Sequence, residues 1–425
     1  MTPSFHFRRL ALTACLLGFF GPASAQDSAA LVNALIRKGI LTNQEAEDIR
    51  ADLTREAAAV VPAPAFALNK STERLSVGMR MHVQYANLGT EIQGNPTNPV
   101  YTDHFFTRRM YLTLRAGLGA DWDAIVTFDF AGQSYDDANI GWHPTGDLNF
   151  YFGLRKVNNC YEERASSGNI KAIERSSVTR YFVESNNGRR LGAGSYRIGA
   201  FLEGKRDLSN TLTLNYTGAI TSPERNETWT GAAGAGDNTS NHVAFWGTVG
   251  FTQKLANGSV VAGVGSAFLP DQGGFGTANL GRGFDLTEYS VYADLTLGRF
   301  SFLGEYLTAS VERGRATVGN GDATPRGFFL QPSVLVTDTV EAVVRYAWLD
   351  SDRRGVNLSD VVRSAPGGGT MNKLTEWFAG ANWYLKGNDL KYQVGAVYGK
   401  TKDTLAGGAA SAKAVGLRSQ LQMQF

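Results

Sequence analysis

Basic side chains that could bind small anions are concentrated between residues 156 and 190. This stretch has seven basic residues against four acidic ones, so its local charge is positive. Arginine suits an anion site because its planar guanidinium group can bind two oxygens of a phosphate or carboxylate at once. We therefore predict an anion-binding site that includes six basic residues in or next to this stretch: Lys156, Arg155, Arg164, Lys171, Arg175 and Arg180.

A second set of basic residues lies at positions that alternate with apolar ones along predicted strands. We interpret this set as a basic track on a polar surface: Arg80, Arg109, Arg115, Arg197, Arg345 and Lys391. Acidic residues with the same spacing are nearly as numerous: Asp123, Asp129, Asp294, Glu203, Glu305 and Glu341. Each base could therefore bind an anion, or it could form a salt bridge that only stiffens the protein.

Other kinds of chemistry have little support in the sequence. The histidines His82, His104, His143 and His242 lie on separate predicted strands or loops without ligand spacing, so no metal site is expected. No serine, histidine and acidic residue are predicted to lie close together, so we predict neither a catalytic site nor a cofactor. The formal net charge of +2, without a clustered basic face, argues against nucleic acid as a partner.

The elements that must position these side chains are strands. A strict alternation of apolar and polar residues starts at Leu75 and continues to Phe425. Such alternation predicts strands with one apolar and one polar face. Many of these runs reach about ten residues, which is the length that crosses a bilayer at a tilt.

The connections between the runs determine the strand count. Seven short ones lie at 117–120, 144–147, 204–209, 254–257, 297–298, 337–338 and 386–388. They alternate with eight longer ones at 89–104, 132–136, 157–190, 222–240, 270–284, 313–326, 351–372 and 401–411. This order predicts an all-β fold, a transmembrane antiparallel β-barrel of about 16 strands. A soluble sandwich or propeller is the alternative, but ordinary strands average about five or six residues.

The N-terminus has the features of a secretory signal peptide, predicted at 1–25. Arg8 and Arg9 precede an apolar stretch, and the small residues 23–25 form a cleavage site. Lipoprotein processing at Cys15 is a weaker alternative because few apolar residues precede that cysteine. If Cys15 is removed, Cys160 is the single thiol of the mature chain.

The mature chain is predicted to have three parts. Residues 26–56 form a short periplasmic helical segment, 57–73 a linker that contains Pro62 and Pro64, and 74–425 the barrel. In this scheme 157–190 is the third external loop. It is too long for an ordinary hairpin connection, so we expect a folded loop that carries function.

Motifs spread along 75–425 resemble those of one protein family. They are Arg108-Arg109-Met110, Asp121-Trp122, Phe128-Asp129-Phe130-Ala131-Gly132, Gly153-Leu154-Arg155-Lys156, Glu174-Arg175-Ser176, Gly188-Arg189-Arg190-Leu191-Gly192, Arg345-Tyr346, the stretch 380–385, and Arg418 with Gln420 and Phe425. In this order they resemble the phosphate-selective porins O and P. One departure is that Val157 and Asn158 replace the prolines that usually follow the lysine.

The resemblance implies a homotrimeric porin embedded in the lipid of the bacterial outer membrane. Its third loop would fold inward and narrow the pore, and basic residues there would draw small anions through, with phosphate or polyphosphate as the solute. Two alternatives stay open. Nearly balanced lumen charge would permit a non-selective general porin, and the N-terminal helices could tether a mainly structural barrel to periplasmic material.

Overall fold

A computed structural model describes Ala46 and residues 74–95, 97–224, 242–316, 321–404 and 410–425. The predicted signal peptide 1–25 and linker 57–73 lie outside the described residues. So does the predicted helical segment 26–56, except for Ala46, which is helical.

Sixteen antiparallel strands form one closed barrel. They are β1 (Arg74–Ile92), β2 (Val100–Leu118), β3 (Trp122–Asp129), β4 (Ser134–Thr145), β5 (Leu148–Lys156), β6 (Tyr196–Asp207), β7 (Leu212–Thr221), β8 (Ala244–Leu255), β9 (Gly258–Leu269), β10 (Leu286–Leu297), β11 (Phe300–Val311), β12 (Arg326–Leu335), β13 (Val340–Asp350), β14 (Met371–Lys386), β15 (Leu390–Thr404) and β16 (Ser411–Gln424). Each strand pairs with its neighbours in the chain, and β1 pairs with β16 to close the ring. The predicted strand count and barrel are confirmed.

The alternation in the sequence separates an inner from an outer face. On β10, Glu288 and Ser290 are buried inside, whereas Tyr289 and Val291 are 53% and 54% exposed outside. This arrangement is the reverse of a soluble protein, since the apolar side chains face outward. It matches a barrel whose outer surface contacts lipid and whose interior is polar.

Turns on one side of the barrel are short and loops on the other are longer. Between β10 and β11 the chain reverses at Gly298, which has a φ of +55°. A residue with a side chain is strained in that conformation, so glycine suits the turn. On the opposite side the first loop is shorter than predicted, because β1 and β2 remain paired as far as Thr90 and Val100.

The loops contain short helices, which are α1 (Tyr161–Arg164), α2 (Ser177–Val183) and α3 (Leu358–Val361), and the 3₁₀ turn Thr277–Asn279. None of the helices within the described residues is long and apolar enough to cross a membrane.

The third loop runs from residue 157 to 195 and extends beyond the predicted end at 190. Residues 191–193 remain bound to α2, since the backbone N–H of Leu191 donates to Tyr181 and that of Ala193 donates to Phe182. Strand β6 can therefore start only at Tyr196. We call residues 157–195 loop 3.

Loop 3 lies inside the barrel. Val178, Tyr181 and Phe182 of α2 are fully buried in one hydrophobic cluster with Leu307 and Phe329 of the wall. Burying each such side chain stabilises the folded state by about 1.5–3 kcal/mol. The fit is close, because a Cβ added to Gly327 would come within 3.0 Å of Val178 Cγ1.

Candidate functional site

Two wall glutamates hold the start of loop 3. Glu288 on β10 accepts hydrogen bonds from Asn159 Nδ2 and Cys160 Sγ, both at 3.0 Å. Glu305 on β11 accepts from the backbone N–H groups of Tyr161 (2.6 Å) and Glu162 (3.0 Å). These contacts satisfy backbone donors at the start of α1 that have no partner within so short a helix.

A second anchor lies on β13 and β14. Glu376 accepts a hydrogen bond from the backbone N–H of Ser177 at 2.6 Å and pairs with Arg345 at 2.5 Å. Arg345 also donates to the backbone carbonyl of Glu174 at 2.7 Å. Lys171 forms a salt bridge of 2.7 Å with Glu341 on β13. Loop 3 is therefore fixed against the half of the wall formed by β10–β15.

Two more bases of the predicted track bind backbone carbonyls. Lys391 Nζ donates to Gly168 (2.8 Å) and Ile170 (3.0 Å) of loop 3. Arg197 donates to Pro223 at 3.0 Å and also to Gly192. Both side chains are buried and hold loop backbone in place.

The opposite side of loop 3 borders a large cavity of about 1470 Å³. The cavity lies between the loop and strands β16 and β1–β9. Eleven basic side chains line it: Arg80, Arg108, Arg109, Arg115, Arg155, Lys156, Arg164, Arg175, Arg180, Arg190 and Arg363. Eight acidic side chains line it too: Asp129, Asp136, Asp137, Glu163, Glu174, Glu184, Glu203 and Asp389. Its lining is therefore basic on balance.

The cavity brings together eight of the twelve predicted site residues: Arg80, Arg109, Arg115, Arg155, Lys156, Arg164, Arg175 and Arg180. The other four do not line it: Lys171, Arg197, Arg345 and Lys391. All four of these bind loop or wall groups, as described above.

Several cavity bases are paired with carboxylates. Arg155 contacts Glu203 at 2.7 Å. Arg175 and Lys156 share Glu163 at 2.9 and 3.5 Å. Arg115 is 3.8 Å from Asp123, and its side chain is 48% exposed. Each pair reduces the positive field within the cavity.

Three cavity bases have no carboxylate within 4 Å among the described residues. Arg80 donates to Gln424 (2.8 Å) and Ser167 (3.1 Å). Arg109 lies 3.3 Å from His82 Nδ1. Arg164 lies over the ring of Tyr161, 4.8 Å from its centre. No carboxylate contacts these three charges directly, so they are the least compensated of the cavity bases and favour a positive potential.

Arg108 is a cavity residue that the strict alternation missed. His82 pairs with Arg109 and Val83 pairs with Thr107, so Arg108 is the extra residue of a β-bulge in β2. The bulge turns both arginines inward. The Arg108-Arg109 pair was itself a signal, because an arginine facing lipid costs about 2–4 kcal/mol.

Arg363 in the seventh loop (351–370) was also missed, since nothing near it in sequence indicates its role. It contacts Glu174 at 3.1 Å and also Glu184. Burial by itself would raise the pKa of Glu184, but the neighbouring Arg180 and Arg363 charges lower it to about 2. Loops 3 and 7 are thus joined by ionised groups at neutral pH.

No group of three or more histidine, cysteine, aspartate or glutamate side chains in the described parts of the chain is placed to hold a metal ion.

Comparisons with known proteins agree with this geometry. The model of the family "Phosphate-selective porin O and P" matches residues 75–425. No curated protein sequence is significantly similar to the chain.

Two solved structures share the fold. An anion-selective porin from Comamonas acidovorans has a TM-score of 0.55 and 12% identity, covering 82% of this chain and 99% of that one. OmpF of Salmonella typhi, solved with daunomycin, has a TM-score of 0.50 and 11% identity, covering 84% of this chain and 99% of that one. The family match covers the whole barrel, and the chain therefore belongs to the phosphate-selective porin O and P family of outer-membrane porins.

Proposed function

We propose that this porin is a passive diffusion channel selective for small anions, with phosphate or polyphosphate as its solute and no catalytic chemistry. The proposal includes a homotrimer and a mature chain released by cleavage of 1–25. The family description is the basis for phosphate in particular.

The observation that carries the proposal is the charge of the cavity beside loop 3. Eleven basic side chains against eight acidic ones give the cavity an excess of positive charge. Low-dielectric walls make each of these charges act more strongly than in bulk water. Anions would therefore be concentrated in the path and cations depleted.

The bases also form a series along the path. Arg190 and Arg363 lie in external loops, Arg109 and Arg80 lie near the middle of β2 and β1, and Arg115 lies nearer the short turns. An anion could pass from one guanidinium group to the next without ever being fully stripped of hydrogen bonds. Conduction needs this balance, since binding must be strong enough for entry and weak enough for release.

The test is the reversal potential of the purified protein in a planar bilayer under a KCl gradient. Lys156→Glu places a negative charge in the cavity, and we expect the chloride-to-potassium permeability ratio to fall roughly tenfold. Lys205→Glu is the matched control, because Lys205 lies near a short turn outside the cavity with a side chain that is 57% exposed. We expect that variant to keep the wild-type ratio. Equal ratios in all three proteins would contradict the proposal.

A non-selective general porin is the second candidate. The eight cavity acids favour it, since several of them pair directly with the bases. A reversal potential near zero for the wild-type protein, together with ohmic conductance, would support this candidate.

A further inference from the structure

Glu174 of loop 3 has an unusual set of neighbours. Its Oε1 accepts from Arg108 Nε at 2.7 Å, and its Oε2 accepts from Arg108 Nη2 at 3.2 Å, so the two groups form a forked pair. Arg363 Nε donates to Oε2 at 3.1 Å and Gln84 Nε2 to Oε1 at 3.0 Å. The carboxylate is thus held by donors from β1, β2 and loop 7.

Positive side chains outnumber negative ones around this carboxylate, although Arg363 also pairs with Glu184. Arg109 and Arg418 add their positive charges to those of Arg108 and Arg363. Burial favours a neutral Glu174, but Arg108, Arg363 and Arg109 hold its pKa well below the usual range. By contrast, the Arg155 guanidinium and the Glu203 carboxylate meet in a single contact on the other side of the cavity.

The position is open to the channel. Arg108, Glu174 and Arg363 all line the cavity, and the side chains of the two arginines are 20% and 27% exposed. A tetrahedral oxyanion offers more oxygens to these same donors than a carboxylate does. It can also carry more than one negative charge, which strengthens each charge-assisted hydrogen bond.

The backbone around Glu174 is held by contacts that do not involve its carboxylate. Arg345 holds the backbone carbonyl of Glu174 at 2.7 Å, and the next residue starts a segment fixed through Ser177 and Glu376. Because the backbone is held in this way, displacement of the carboxylate would require rotation about the side-chain bonds alone. Exposed side chains make such rotations within nanoseconds, and a partly buried one requires longer.

We propose that Glu174 occupies the strongest oxyanion-binding position of the channel and acts as a built-in competitor that a permeating oxyanion must displace. This inference rests on the proposed anion channel and defines how its site is regulated. The competitor weakens binding of the solute, so the bound anion can leave and flux is maintained.

The experiment measures how inorganic phosphate blocks chloride current through single channels of the full mature chain. Glu174→Gln removes the competing charge, and we expect the half-blocking phosphate concentration to fall about tenfold. Glu203→Gln makes the same change of charge in the same cavity and serves as the matched control. We expect the half-blocking concentration of that variant to change by less than about twofold.

Glu174→Asp distinguishes the loss of a competing carboxylate from a change in the net charge of the cavity. It also tests the inference if the glutamine variant does not fold. It keeps the charge but withdraws the carboxylate from Arg108 and Arg363. We expect the chloride-to-potassium ratio to stay at its wild-type value while phosphate block becomes several-fold tighter.

Equal phosphate block in Glu174→Asp and wild type, or equal tightening in Glu174→Gln and Glu203→Gln, would overturn the inference. These outcomes are distinct from failure of the proposed function, which would appear as a wild-type reversal potential without anion preference.

Discussion

The two halves of the inner wall use charge in opposite ways. In the half formed by β10–β15, four acids bind groups of loop 3 and hold the loop in place. They are Glu288, Glu305, Glu341 and Glu376. Bases on β1, β2 and β5 remain beside the open cavity. Loop 3 therefore covers the acidic wall and leaves the more basic wall facing the path.

Two buried arginines show what this difference means. Arg345 and Arg109 both point inward and are 2% and 4% exposed. Arg345 forms salt bridges with Glu376 and Glu162, so these two carboxylates compensate its charge. Arg109 has His82 as its near neighbour and lines the cavity. Arginine therefore stabilises loop 3 on the covered wall and adds to the positive electrostatic potential on the cavity wall.

Removing a buried ion pair between loop 3 and the covered wall should have the largest effect on stability. Arg345→Met leaves Glu376 and Glu162 without their buried partner, and we expect the free energy of unfolding to fall by about 3–5 kcal/mol. Urea unfolding of the folded barrel in detergent measures it. Arg115→Met is the control, since that half-exposed pair at 3.8 Å contributes less than about 1 kcal/mol. A similar loss in both variants would contradict the division between the two halves.

Acid should loosen the cavity side of loop 3 by a smaller amount. The pKa of Glu184 is lowered to about 2, so its ion pairs stabilise the fold above its unfolded pKa and this stabilisation is lost as pH falls towards 2. We expect the free energy of unfolding of the wild type to exceed that of Glu184→Gln by on the order of 1–2 kcal/mol at pH 6, and by less than about 0.5 kcal/mol at pH 2. The same urea series, repeated across this range, measures the difference. A gap that stays constant with pH would indicate packing and not charge.

The barrel could be predicted from the sequence because the patterns that specify its strands and turns are local in sequence. Alternation sets the two faces of each strand, and the short turns between the runs fix the count at 16. The end of loop 3 was less accessible, because Leu191 and Ala193 are held by contacts with α2 that no local pattern encodes.

The site was predictable only in part, for two physical reasons. Alternation identifies inward residues but not which of them the loop covers, so Arg197, Arg345 and Lys391 resembled the cavity bases. The basic excess of 156–190 likewise did not show that Lys171 pairs with Glu341 on the wall. A bulge shifts the alternation by one residue, which concealed Arg108. Arg363 meets loop 3 across a gap of nearly two hundred residues, and one sequence does not reveal such a contact.

The most direct test compares one base from each half by reversal potential under a KCl gradient. Arg109→Gln removes from the cavity a charge that no carboxylate contacts directly, and we expect the chloride-to-potassium permeability ratio to fall about fivefold. Lys171→Gln removes a charge that pairs with Glu341 away from the cavity, and we expect the ratio to stay within about twofold of wild type. A shift of equal size in both variants, or none in Arg109→Gln, would contradict an anion path between loop 3 and the basic wall.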